Sequence, residues 1–115
     1  MKVVIAGGRF FNDYEMLEKG CDFMLQNQEE IEIVSGTAIG ADKLGERYAT
    51  ERGYPIKKFP ADWNKFGKSA GYVRNKEMAE YADSVIVFWD GISRGTKMMI
   101  DLATAKGLPT KIYNY

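Results

Sequence analysis

Short apolar runs rich in β-branched residues recur along this chain, and nearly every one is followed by a stretch with helical spacing. "VVIAG" (3–7) and "SVIVFW" (84–89) read as buried strands, almost without polar alternation. "IEIVS" (31–35) is similar, while "IKKFP" (56–60) is shorter and more polar, as an edge strand would be. "KIYNY" (111–115) supplies the last strand. Residues 13–27 place Tyr14, Leu17, Cys21, Met24 and Leu25 at three-and-four spacing behind Asn12 or Asp13 as cap. Residues 42–52 carry Leu44 and Tyr48 on one face and stop at Gly53. Helices over 72–82 and 96–106 complete the set, the last ended by Gly107 and Pro109. Alternation this regular leaves few topologies. It predicts an α/β fold, a parallel sheet with helices on both faces in a three-layer sandwich, and 115 residues suffice for one such domain over 1–115.

In such sheets ligands sit beyond the carboxyl ends of the strands, where the strand order reverses. The residues found there are therefore the informative ones. Gly7, Gly8 and Arg9 follow the first strand. Their glycine pair is not the G-x-G-x-x-G fingerprint, but an arginine directly after a buried strand suits a planar anion contact. After the second strand, "SGTAIGAD" supplies Ser35, Gly36, Thr37, Gly40, Ala41 and Asp42. Two glycines and two hydroxyls exceed what a tight turn needs, and they would let a phosphate or ribose approach bare backbone at a helix start. Asp42 also has the chemistry of a helix cap. Trp63 follows the third strand and either stacks on a base or fills the core. Arg74 and Asn75 are placed in the first turn of the helix over 72–82, where a cation disfavours the helix unless an anion binds. Gly95 and Thr96 again put glycine and a hydroxyl at a helix start.

Composition removes several kinds of chemistry. There is no histidine, so a Ser/His or Cys/His triad is excluded, and with one cysteine no zinc spacing exists; no metal site is expected. The lone Cys21 cannot form an internal disulfide, no apolar run is long enough for a membrane span, and no signal-peptide pattern opens the chain. The expectation is a cytoplasmic protein without a membrane partner. Sixteen basic residues balance sixteen acidic ones, which argues against a surface that coats nucleic acid. The charge is uneven, however. Lys57, Lys58, Lys65, Lys68, Arg74 and Lys76 face only Asp62 within 57–76, a local wall suited to a small anion.

Four segments together, "VVIAGGRFFNDYEML", "IVSGTAIGAD", "PADWNKFGKSAGYVRNKEM" and "RGTKMMIDLATAKGLP", resemble the SLOG superfamily of Rossmann-like nucleotide-ligand domains. The branch most similar is the small single-domain one related to YspA, and the resemblance covers nearly the whole chain. It implies the strand order 3-2-1-4-5 and a nucleotide or nucleotide-derived ligand such as an ADP-ribose derivative. Superfamily relatives often pair, so a homo-oligomer is a further expectation. More distantly, LOG-type phosphoribohydrolases pair an arginine in an R-K-x-x-M-like helix with a glutamate in P-G-G-x-G-T-x-x-E. "RNKEMAEYAD" is similar to that helix and gives Arg74 the arginine role. Gly95 and Thr96 match the second motif, but the glutamate position is Met99 and Pro-Gly-Gly is replaced by "DGIS".

The reading is thus a nucleotide-ligand binder, a sensor or sequestering protein, with no catalytic residue and no separate cofactor. Gly7, Gly8 and Arg9 would line one side, Ser35 to Asp42 the floor, Gly95 and Thr96 the opposite side, and Arg74 and Asn75 would face the phosphate. A hydrolase of an N-glycosidic or phosphate-linked bond, using Asp42 or Asp90, is the alternative. An accessory that binds single strands through Trp63, Phe66 and Tyr72, as in DprA-like relatives, is a lesser one.

Overall fold

The computed structural model describes all 115 residues. Five parallel strands form one sheet in the order β3-β2-β1-β4-β5: β1 Lys2–Gly7, β2 Glu32–Ser35, β3 Ile56–Lys58, β4 Ser84–Trp89 and β5 Thr110–Asn114. The helices are α1 Tyr14–Leu25, α2 Ala41–Arg52, α3 Trp63–Phe66, α4 Ala70–Tyr81 and α5 Arg94–Ala105. This is the Rossmann-like α/β arrangement expected from the alternation and from the resemblance. β1 lies at the centre, in register with Val4↔Val34 on one side and Val4↔Val85 on the other.

Side chains alternate across a strand, so β1 feeds two separate cores. Val3 and Ile5 join Leu17, Cys21, Leu25, Ile33, Tyr48 and Phe88 beneath α1 and α2. Val4 and Ala6 join Val34, Met78, Val85, Val87, Met99 and Ala103 beneath α4 and α5. Cys21 is fully buried in the first of these clusters.

Local chemistry sets the helix ends. The Asp13 side chain accepts a hydrogen bond from the Met16 N–H at 3.0 Å and starts α1. Gly53, at φ 74, ends α2 by donating its N–H to the Ala49 and Thr50 carbonyls.

Two expectations need correction. The stretch after β3 carries helical structure of its own: Asp62 caps α3 by accepting from the Lys65 N–H, and a 3₁₀ turn, Gly67–Ser69, leads directly into α4. Consequently α4 starts at Ala70 rather than near Tyr72, and Arg74 sits in its second turn. The unfavourable charge–dipole placement argued for Arg74 therefore does not exist. Nor is Asp42 the cap of α2, because Gly40 occupies that position without any side-chain hydrogen bond.

Candidate functional site

Strand order reverses between β1 and β4, and there the ends of the strands open into a cleft of about 390 Å³. Of the residues singled out in the sequence, Gly7, Arg9, Asp42, Trp63, Arg74, Asn75, Gly95 and Thr96 line it. Gly8, Ser35, Gly36, Thr37, Gly40 and Ala41 do not. Lys68, Tyr72, Ser93, Met78, Met98 and Met99 join the wall. A more open depression of about 710 Å³ lies between α1 and β5, but it has no buried polar side chain. Its Lys19 pairs with Glu15 and its Asp13 is spent on capping α1. The cleft is different. Apart from tyrosine, the buried polar residues of the protein are Ser35, Asp42, Asn75 and Thr96, and all but Ser35 reach this cleft.

The glycines of 7–40 are explained by protein rather than by empty space. A Cβ on Gly7 would stand 2.3 Å from the Phe88 carbonyl oxygen, and one on Gly40 would stand 2.3 Å from that of Gly8. The Gly8 carbonyl also accepts the Ala41 N–H at 3.3 Å, joining the loop after β1 to the start of α2. Gly36 separates two charged side chains, since a Cβ there would lie 2.7 Å from Asp42 Oδ2 and 2.9 Å from Arg74 Nη1. Ser35 Oγ donates to Glu46 Oε2 at 2.6 Å and accepts from the Thr37 N–H at 3.0 Å. Thr37 itself has φ 63, a left-handed conformation that a β-branched residue seldom adopts. This corner is packed and held.

The other corner, between β4 and α5, is open. No atom lies within 4 Å of a Cβ added to Gly91 or Gly95. Asp90 Oδ1 accepts from the Ile92 and Ser93 N–H groups at 2.8 Å each, which shapes the turn and holds its carboxyl below the usual range. Asp90 does not line the cleft. Ser93, the cap residue of α5, makes no capping bond with its side chain, so α5 begins at the cleft wall without a side-chain cap.

Between the corners runs a short polar bridge. Arg74 donates from Nη1 to the Gly36 carbonyl and from Nε to Asn75 Oδ1 at 2.8 Å. Asn75 Nδ2 in turn reaches the Gly95 carbonyl at 3.4 Å. Arg74 thus ties α4 to the loop after β2, while its Nη2 makes no protein hydrogen bond. Asp42 is the one carboxylate on the cleft wall, against the cations Arg9, Lys68 and Arg74. Burial pushes its pKa up to about 6, against the opposing pull of the Ala38 N–H and the Arg74 charge. Trp63 and Tyr72 are 61% and 47% exposed, at the rim rather than in the core. Met99, where the resemblance would put a catalytic glutamate, is 1% exposed and packs in the second core.

Sequence reasoning missed Glu46 and Ser93. Glu46 is coupled to Ser35 only through the turn that folds α2 back along β2. Ser93 carried a readable signal, a hydroxyl immediately before a helix.

A family model described as the YspA, cpYpsA-related SLOG family matches residues 1–66. The Gene 61 protein of Mycobacterium phage D29 is 31% identical over 115 residues, covering 94% of this chain and 92% of that protein. No solved structure matches the chain. With more than half of its length matched and a phage relative spanning nearly all of it, this chain belongs to the YspA, cpYpsA-related SLOG family.

Proposed function

We propose that the protein binds a phosphorylated nucleoside, a nucleotide or nucleotide-derived molecule such as an ADP-ribose derivative, and releases it chemically unchanged, as a sensor or sequestering protein. One observation carries this: three of the few buried polar side chains, Asp42, Asn75 and Thr96, converge in one cleft at the β1–β4 switch point. Arg9, Lys68 and the free Nη2 of Arg74 supply positive charge for phosphate, and the uncapped start of α5 adds backbone N–H groups. The rings of Trp63 and Tyr72 offer faces on which a base stacks. The thioether of Met99 neither carries charge nor accepts a proton, which favours binding over cleavage.

The test is calorimetric titration with AMP, NAD and ADP-ribose, followed by chromatography of the recovered ligand. Saturable binding that weakens about tenfold to a hundredfold in Arg74→Ala, with the ligand recovered intact, is expected. Absence of binding by all three would sink the proposal. Catalytic release of base or phosphate would replace it with the hydrolase reading.

A further inference from the structure

Asp42 is an expensive residue for a fold to keep. The residue is 6% exposed and its side chain forms no direct ion pair, although Arg74 lies across Gly36 from it. Oδ2 accepts a single hydrogen bond, from the Ala38 N–H at 3.2 Å. Oδ1 has no protein partner, and it is not sealed from solvent, because no buried side-chain oxygen in the protein lacks a hydrogen bond. The remaining outlet for Oδ1 is the cleft that Asp42 lines. An acceptor is therefore held ready at the floor, with no donor from the protein to meet it.

The surroundings restrict what that donor can be. An ionised carboxylate only accepts, so it repels a phosphate, which belongs with the cations Arg9, Lys68 and Arg74 instead. A cationic donor would meet Arg74 across Gly36. A base edge belongs with Trp63 and Tyr72, whose rings lie out at the exposed rim. The part of a nucleotide between base and phosphate is its sugar, whose hydroxyls are neutral donors. Resting on the nucleotide reading above, we propose that Asp42 accepts a hydrogen bond from a ribose hydroxyl, so that the cleft selects ribonucleotides over their deoxy counterparts.

A second consequence follows from the environment of the carboxyl. Burial lifts its pKa to about 6, with Arg74 of α4 and Lys43 of α2 pulling it down and Glu46 of α2 pushing it up. A donor hydroxyl stabilises the ionised form, so ribonucleotide affinity is full above that pH and declines as the group protonates below it.

The experiment compares AMP, GMP, CMP and UMP with their 2′-deoxy and 3′-deoxy forms, using the wild type, Asp42→Asn and Asp42→Ala at pH 7.5 and pH 5. The wild type should prefer the ribonucleotide by about tenfold or more over at least one deoxy form at pH 7.5. That preference should vanish in Asp42→Ala, shrink in Asp42→Asn, and decline toward pH 5 in the wild type alone. Titration of the phosphate itself is common to all three proteins and cancels in the comparison. Equal wild-type affinity for ribo and deoxy forms, or equal losses for both in the variants, would overturn the sugar assignment while leaving nucleotide binding in place. Failure of every monophosphate and of ADP-ribose to bind the wild type would instead remove the underlying reading, and this inference with it.

Discussion

Two strand-to-helix corners of this protein look alike in sequence and differ in use. "SGTAIGAD" after β2 and "DGISRGT" after β4 each combine glycine, hydroxyl and aspartate before a helix. In the first, Gly40 is pressed against Gly8 and Arg9, and Ser35 is engaged by Glu46 and Thr37. In the second, a Cβ on Gly91 or Gly95 would meet nothing beyond its own stretch of chain. The closed corner is a hinge-free platform that fixes Asp42, whereas the open one leaves the start of α5 accessible. A glycine-rich turn thus marks a close approach, but the approaching group can be the protein itself.

The contrast is sharpest in Gly40→Ala. Gly40 has φ 89 and ψ −133, a region essentially reserved for glycine, and the added Cβ would meet backbone atoms 2.3 and 2.6 Å away. Strain of about 1–3 kcal/mol and overpacking of about 1–3 kcal/mol together predict a loss of about 2–6 kcal/mol in urea unfolding. A variant as stable as the wild type would mean that this corner is not closed.

Asp42→Asn addresses the cost of the charge that the platform holds. Burial raises the folded-state pKa of Asp42 from 3.8 to about 6, so the folded chain holds that proton more tightly than the unfolded chain does. Stability from this group is fully present below pH 4 and lost as pH rises through 6. Two pKa units correspond to about 3 kcal/mol, which sets the upper bound on what the ionised carboxylate costs at neutral pH. Asp42→Asn should therefore stabilise the protein by up to about 3 kcal/mol at pH 7.5 and have little effect at pH 4. Thermal unfolding at the two pH values measures this, and a destabilised variant at pH 7.5 would show that the charge is structurally needed.

The smallest effect is expected at the open corner. Gly95→Ala meets no atom and lies within α5, so lower backbone entropy in the unfolded chain should add at most about 0.5–1 kcal/mol. Gly95 nevertheless lines the cleft, and a fall in nucleotide affinity without loss of stability is the expected calorimetric signature. Destabilisation comparable to that of Gly40→Ala would erase the distinction between the corners.

The fold was legible because β1, β2 and β4 are buried on both faces and announce themselves as apolar runs. The place of the cleft was legible for the same reason, since the topology dictates which loops meet, but six of the fourteen expected positions lie behind its wall. What each residue does there was harder to read. Spacing begins the helix near Tyr72 and so sets Arg74 in its first turn, yet the small side chains of Ser69, Ala70 and Gly71 let the 3₁₀ turn run straight into α4. Arg74 consequently holds the Gly36 carbonyl as well as facing the cleft, so its loss should also cost some stability. Asp42 looked like a cap because spacing reveals the residue types before a helix, not which of them is buried. Glu46 was invisible because its partner Ser35 lies on another element.

The lone cysteine gives this molecule a gauge of its own opening. Cys21 is fully buried on the inner face of α1, and burial, aided by the neighbouring Asp22 charge, pushes its thiol up to about 12. In the native state it is therefore neither reachable nor ionised at neutral pH, and a disulfide reagent must wait for the first core to separate. The rate of thiol labelling then counts excursions of that core, leaving the α4–α5 side silent. Because the candidate cleft belongs largely to the silent side, labelling of Cys21 in the presence of a nucleotide would report whether occupancy of one layer tightens the other.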